Sequence, residues 1–172
     1  MSQLSPNISL RIATPDDQAL LEHWDKQPHV EAAAPNDDLD WEQELNRKSK
    51  WEERFIAELN GRPIGFLQII DAAREETHYW GETEEGHKAI DIWIGEADDL
   101  GRGYGTEMMK LALDRCFSDP EVKAVLIDPL ESNTKAHKFY RRLGFQFVER
   151  RRFGEDDCLV FRLYRDIGIL QL

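Results

Sequence analysis

The spacing of apolar residues changes several times along the chain, and each change marks an element. Residues 9–14, SLRIAT, alternate apolar and polar positions as a half-buried strand does. TPDDQALLEHWD then shifts to helical spacing: Thr14 suits an N-cap, Pro15 the first helical position and Asp16 and Asp17 the first turn, while Leu20, Leu21 and Trp24 make the apolar face. The pattern lapses in VEAAAPNDDLDWEQELNRKSKW, which is polar and irregular apart from a helix expected over 41–47 and suits a mobile flap over a site. It returns in FIAELNGRPIGFLQIID, two antiparallel strands turned at Asn60-Gly61.

The segment REETHYWGETEEGHK is too polar for a core and too aromatic for an ordinary linker, which points to a functional loop. AIDIWIGE follows as a strand with Ile90, Ile92 and Ile94 on one face and Asp91 and Trp93 on the other. Over 106–117, Met108, Met109, Ala112, Leu113, Cys116 and Phe117 recur at the spacing of a helix core face. KAVLIDP is a continuous apolar run that fits a central strand. SNTKAHKFYRRLGF reads as a helix capped by Ser132 or Asn133 and stopped by Gly144, and QFVERRRF and CLVFRLYR form a last hairpin around GEDD. The order βα(α)ββ followed by βαβαββ, without internal repeats, predicts an α/β fold around one mixed sheet, in a single domain spanning residues 1–172.

Charge narrows the partners. Twenty-two Lys and Arg against thirty-four Asp and Glu give a net charge of −12, which disfavours nucleic acid and favours cationic ligands. The two cysteines, Cys116 and Cys158, match no metal or redox spacing, and the five histidines form no metal set, so no metal is expected. MSQLSPNISLRI lacks a basic head followed by an apolar run, and no segment is long enough to span a bilayer; a cytoplasmic protein with no membrane partner is expected.

The chemistry gathers at LGRGYGT, 100–106, where three glycines at alternate positions precede the helix of EMMKLALDRCF. A helix N-terminus offers unsatisfied N–H groups and the positive end of the macrodipole, so the amides of Arg102, Gly103, Tyr104, Gly105 and Thr106 could grip a phosphate. The sequence has no Gly-Lys pair for a nucleoside-triphosphate loop. A dinucleotide fingerprint would need glycine where Thr106 stands.

The remaining pattern, strand, x-G-x-G, helix, resembles motif A of the GCN5-related N-acetyltransferases (GNAT), which hold the pyrophosphate of coenzyme A. IDIWIGEADDLGRGYGTEMM resembles that family's fourth strand and pyrophosphate loop, and LIDPLESNTKAHKFYRRLGF its fifth strand and following helix. The likeness implies a mixed, mostly antiparallel sheet flanked by helices, splayed between strands four and five. It also implies acetyl-coenzyme A as cosubstrate, with Ile92, Trp93 and Ile94 pairing their main chain with the pantetheine arm and Asn133 touching the same cofactor. A helix cap is an equally good and compatible role for Asn133.

Acetyl transfer from a thioester to an amine needs a neutral amine, a stabilised oxyanion and a proton for the departing thiolate. By resemblance Tyr140 is the general acid; it also completes an i, i+3, i+4, i+7 stripe with Ala136, Phe139 and Leu143, as a core tyrosine would. Asp91 and Asp128 are carboxylates in or at the end of apolar strands, costly there unless compensated. The aminoglycoside 6′-N-acetyltransferase branch has aspartates in matching motifs, which implies that Asp91 orients or deprotonates the acceptor amine and Asp128 holds a second ammonium. An outward strand residue and a turn cap before Pro129 are the plain alternatives. The loop YWGETEEGHK resembles the same branch and implies an acceptor wall of Trp80, Glu82, Glu84 and Glu85.

These residues together imply an N-acetyltransferase of a small cationic amine, foremost an aminoglycoside 6′-amine, working as a monomer or homodimer. Another primary amine (a protein N-terminus, a polyamine or a siderophore precursor) and a non-catalytic acyl-coenzyme A binding module are the alternatives.

Overall fold

The computed structural model describes residues 7–165; the first residues of the N-terminal segment weighed above as a leader lie outside that range. The chain opens with β1 (Ile8–Ile12), a short 3-10 turn, α1 (Gln18–Asp25), α2 (Pro28–Ala33) and α3 (Trp41–Asn46). There follow β2 (Glu52–Leu59), β3 (Arg62–Asp71), β4 (His87–Ile94), α4 (Tyr104–Ser118), β5 (Ala124–Ile127), α5 (Thr134–Arg142), β6 (Gln146–Phe153) and β7 (Asp156–Tyr164). The strands form one sheet in the order β1-β2-β3-β4-β5-β7-β6. Only β4 and β5 run parallel among these neighbours, so the expected mixed and mostly antiparallel sheet is what forms.

Local chemistry sets the boundaries. Asn60 and Gly61 both adopt positive φ, 51° and 85°, giving the tight turn whose twist matches two antiparallel strands. The first helix starts later than the sequence suggests. Asp17 is occupied by the Thr14 N–H at 2.8 Å and by Arg11 at 2.8 and 2.9 Å, and residues Pro15–Asp17 form a 3-10 turn before α1. Helix α2 is an addition: its six residues start at Pro28, with Val30 buried, and its last four lie in the stretch expected to be irregular. The helix near residue 41 forms as expected, its Asp40 side chain accepting from the Gln43 N–H.

The strict alternation of β4 divides the molecule. Ile90, Ile92 and Ile94 belong to the core under α4 and α5, with Met108, Met109, Leu113 and Tyr140. Trp93 lies on the other face, packed on Phe66 with ring centroids 4.6 Å apart and on Trp41 at 6.2 Å, beneath α1 and α3. A Cβ on Gly95 would lie 2.0 Å from the Trp24 ring, so glycine at the end of β4 lets α1 seat directly on it. Trp80, Ala89, Leu126 and Phe153 form a third cluster under the loop that joins β3 to β4.

The parallel pair is short. β5 accompanies β4 only through His87↔Ala124, Lys88↔Val125 and Ala89↔Leu126, whereas β3 pairs with β4 as far as Ile94. From Ile90 onward β4 has no strand on its β5 side, which is the splay that the family resemblance implied. No helix among the described residues is long and apolar enough to cross a membrane.

Candidate active site

Two features meet at the splay. The first is the loop before α4. Gly101 and Gly103 have φ of 71° and 82°, a region that side-chain-bearing residues rarely adopt, and a Cβ on either would point into open space. Gly103 is the helix N-cap and supplies no side-chain cap; the first helical bond runs from the Glu107 N–H to the Gly103 carbonyl. The amides of Tyr104, Gly105 and Thr106 are thus the orphan donors of a fifteen-residue helix and suit an anionic group. Around them, Arg62 clamps Asp99 with bonds of 2.9 and 3.0 Å, and the Arg102 Nε donates to the Asp98 carbonyl at 2.7 Å, which fixes the loop.

The free edge of β4 leads from this loop inward. The Gly95 N–H donates to Ile64 of β3 at 2.9 Å, so in the unbroken register the main chain of Trp93 and Asp91 also faces β3. Ile90, Ile92 and Ile94 face the gap. Ile92, Trp93 and Ile94 are expected as one main-chain ladder; Trp93 does not belong to it, because successive residues of a strand turn their N–H and C=O to opposite sides. The Ile94 carbonyl accepts from His29 Nε2 of α2 at 2.8 Å. Asn133 caps α5 through its carboxamide oxygen, which accepts from the Ala136 N–H at 3.2 Å, and leaves its amide NH2 available.

The second feature is a cavity of about 470 Å³ lined by residues from α1 and α2, β3 and β4, the Tyr79 loop, the end of β5, α5 and the start of β7. Asp91, Asp128 and Tyr140, chosen from separate stretches of sequence, all line it, together with Ile92, Trp93 and Asn133. Six carboxylates border it, those of Asp25, Glu31, Asp37, Asp91, Asp128 and Asp156, against one lysine, Lys26. Asp25 ends α1, Asp37 lies in the loop after α2 and Asp156 opens β7, positions that no periodicity singles out.

Crowding shows in the protonation of these groups. Burial, and then the charge of Asp91, push the Asp128 carboxyl up to about 8. Asp37 is raised to about 6, first by burial and then by Asp91 and Asp156. Asp91 is raised by burial, which the bond from Gln68 Nε2 to its Oδ2 at 2.7 Å partly offsets. The Tyr140 phenol is raised by burial and then by Asp91 and Asp128, so it keeps its proton. Its ring packs on Phe139 and Phe145, with centroids 5.2 and 5.7 Å away. Tyr140 therefore belongs to the core and lines the cavity at once.

The acceptor wall is built differently from the sequence reading. Trp80 is buried in the third cluster, and Glu82, Glu84 and Glu85 are exposed and stand outside the cavity lining; Glu85 lies 3.5 Å from Arg74. The residue of that loop which lines the cavity is Tyr79, whose hydroxyl donates to Asp128 Oδ2. The loop's internal bonding decides this. Glu75 is buried and accepts the N–H groups of Thr77 at 2.7 Å and Tyr79 at 2.9 Å, with His78 between them in the left-handed region at φ 54°. Among the described residues no cluster of His, Cys, Asp and Glu has the geometry to hold a metal ion.

The loop before α4 gives a direct test. Gly103→Val is expected to weaken coenzyme A binding at least about tenfold by calorimetry, because a branched side chain at φ 82° bends the loop and crowds its amides. Gly61→Val, at φ 85° in the hairpin turn, carries comparable backbone strain far from the loop and serves as the control. An equal affinity in the two variants identifies LGRGYGT as an ordinary turn.

Comparison with known proteins agrees with this geometry. Residues 13–153 match the family model described as an acetyltransferase (GNAT) domain. An aminoglycoside N(6′)-acetyltransferase type 1 of Klebsiella pneumoniae is 34% identical over 149 residues, covering 81% of this chain and 74% of that one. The spermidine N(1)-acetyltransferase of Escherichia coli K12 is 25% identical over 128 residues, covering 74% of this chain and 61% of that one. The crystal structure of an aminoglycoside acetyltransferase in complex with coenzyme A and kanamycin superposes with a TM-score of 0.83 at 29% identity, covering 94% and 96% of the two chains. With the glycine loop at the head of α4, the open edge of β4 and this match over most of its length, the chain belongs to the GNAT family and is an N-acetyltransferase.

Proposed function

We propose that the protein transfers the acetyl group of acetyl-coenzyme A to a primary amine of a small polycation, foremost the 6′-amine of an aminoglycoside. The observation that carries this reading is the cavity at the splay, where six carboxylates face one lysine. A neutral or anionic acceptor would meet only repulsion and desolvation there, whereas each ammonium of a polyamine gains a charge-assisted partner. The kanamycin complex of the relative at 29% identity supports the same reading.

In this mechanism the amides of Gly103, Tyr104, Gly105 and Thr106, with Arg102 beside them, bind the pyrophosphate, and the amide NH2 of Asn133 adds a donor. The gap-facing main chain of Ile92 and Ile94 orients the pantetheine arm. Asp91 takes a proton from the acceptor ammonium, directly or through water, and its raised affinity for protons favours that transfer. The freed nitrogen attacks the thioester carbon, the C–S bond breaks as the tetrahedral intermediate collapses, Tyr140 gives its proton to the departing sulfur, and the surplus proton left on the new amide nitrogen passes through water to the Tyr140 phenolate, which restores the acid. Asp128 binds a second ammonium away from the reacting nitrogen.

The test is initial-rate kinetics on a kanamycin-like sugar, a simple diamine and an N-terminal peptide at two salt concentrations. The sugar is expected to show the highest kcat/KM and the steepest loss with salt, since its charges add and exposed fields are screened within roughly 8 Å at physiological ionic strength. Its KM is also expected to fall as pH rises toward 8. A carboxyl raised to about 8 is mostly protonated below that value and gains its charge as pH passes through it. A preference for the peptide, or sugar rates indifferent to salt, leaves only the general N-acetyltransferase. The likeness to a spermidine acetyltransferase makes a linear polyamine the second candidate, and a diamine that outperforms the sugar identifies it.

A further inference from the structure

The bond between Tyr79 and Asp128 is where the cavity departs from a passive ring of carboxylates. Tyr79 is 45% exposed, yet its ring is held: it stacks parallel on Phe153, with centroids 4.5 Å apart and planes 5° apart, and meets the edge of Trp80 at 5.6 Å. From that position its hydroxyl reaches the one carboxylate that stands at the end of β5. The loop is set for this by Glu75, whose two oxygens accept the Thr77 and Tyr79 main-chain N–H groups. Burial pulls the Glu75 carboxyl upward, but those bonds outweigh it and hold it below its ordinary value, so it stays ionised as their acceptor.

We infer that the Tyr79 hydroxyl occupies Asp128 in place of an acceptor ammonium, so that a polyamine binds by exchange, and that Tyr79 thereby sets how strongly acceptors with a second amine are preferred. This rests on the reading of Asp128 as the partner of that second amine. A neutral phenol is a weaker partner for a carboxylate than an ammonium is, so the exchange runs toward the ligand. It is still a competition. The displaced hydroxyl turns to solvent, which already reaches Tyr79, and the stacked ring need not move. A monoamine that engages only Asp91 leaves the Tyr79 bond intact and gains nothing from the exchange. The hydroxyl thus keeps the carboxylate satisfied between turnovers and lowers the affinity of the site for its own best ligand.

Tyr79→Phe removes the hydroxyl and keeps the ring stack. Above pH 8, where Asp128 is ionised, calorimetry with kanamycin is expected to give a Kd lower by about fivefold, the factor that one net hydrogen bond represents, and the ratio of kanamycin to monoamine kcat/KM is expected to rise in step. Glu75→Gln loosens the aim of the loop through a different residue and is expected to move the same ratio in the same direction by less; it serves if the first variant fails to fold. If either folded variant binds kanamycin more weakly than the wild type, or equally, the hydroxyl is a ligand contact or a structural tie and the exchange is wrong. If the wild-type protein acetylates amines but does not bind kanamycin or a linear polyamine, the polycation reading has failed, and the inference with it.

Discussion

Tyr140→Phe is expected to lower turnover roughly 10²-fold or more while the protein melts at nearly the wild-type temperature. Under the mechanism proposed above, Tyr140 serves two purposes with two parts of its side chain. The ring belongs to the core beneath α4 and α5, against Phe139 and Phe145, and phenylalanine preserves that packing. Tyr140 also lines the cavity, and the substitution takes away the hydroxyl while leaving the ring packing in place. Burial and the charges of Asp91 and Asp128 keep the phenol protonated across the working pH range, which makes it a standing proton donor for a departing thiolate. Single-turnover kinetics and thermal melting of the same preparation separate the two parts. A variant that loses several degrees of stability but keeps its turnover number is a core tyrosine and nothing more.

Asp91→Asn is expected to reduce kcat by about 10² to 10³ with a smaller change in KM, whereas Asp128→Asn chiefly raises KM for a polycationic acceptor. Asparagine preserves the shape of Asp91 and still offers an oxygen to Gln68, which donates to the carboxylate at 2.7 Å. What it loses is the ability to take a proton. Because burial raises the Asp91 carboxyl, the group becomes a competent base only above the usual carboxylate range, and the acid limb of the kcat profile lies correspondingly high. The asparagine variant loses that limb. Retention of the same limb in Asp91→Asn assigns the proton transfer to another group.

Most of the fold was legible because it depends on periodicity. The alternation of β4, the apolar run of β5 and the cap and stop signals of α5 all appear as the sequence predicts, since each reports a local backbone choice. Asp91 and Asp128 stand out for a related reason, since a carboxylate placed among apolar neighbours violates a pattern; Tyr140 fits its apolar stripe and is singled out by the family resemblance alone. The acceptor wall had no such pattern to violate. Whether Tyr79 or Trp80 enters the cavity is decided by Glu75 and by the left-handed turn at His78, bonds between loop residues that composition does not encode. Asp37 and Asp156 reach the site from chain segments about 120 residues apart, joined by a 2.6 Å bond from Asn36 to Asp156, a contact that only the fold creates. Trp93 leaves the expected ladder because the direction of its main chain depends on its partner strand.

The alternation of β4 also bears on how such an enzyme can change its substrate. Under the mechanism proposed above, the donor is held by peptide groups of Ile92, Ile94 and the glycine loop, which are the same whatever side chains they carry. The acceptor is met by side chains, those of Asp91 and Trp93 on the opposite face of the same strand and those of the surrounding loops. Point mutation can redirect the second set freely, whereas in the first it can weaken the grip, as at Gly103, without offering a new one. New acceptors are therefore open to this scaffold by single substitutions, while a change of donor requires remaking the backbone; insertion of one residue in β4, which would exchange the two faces, is closed to both.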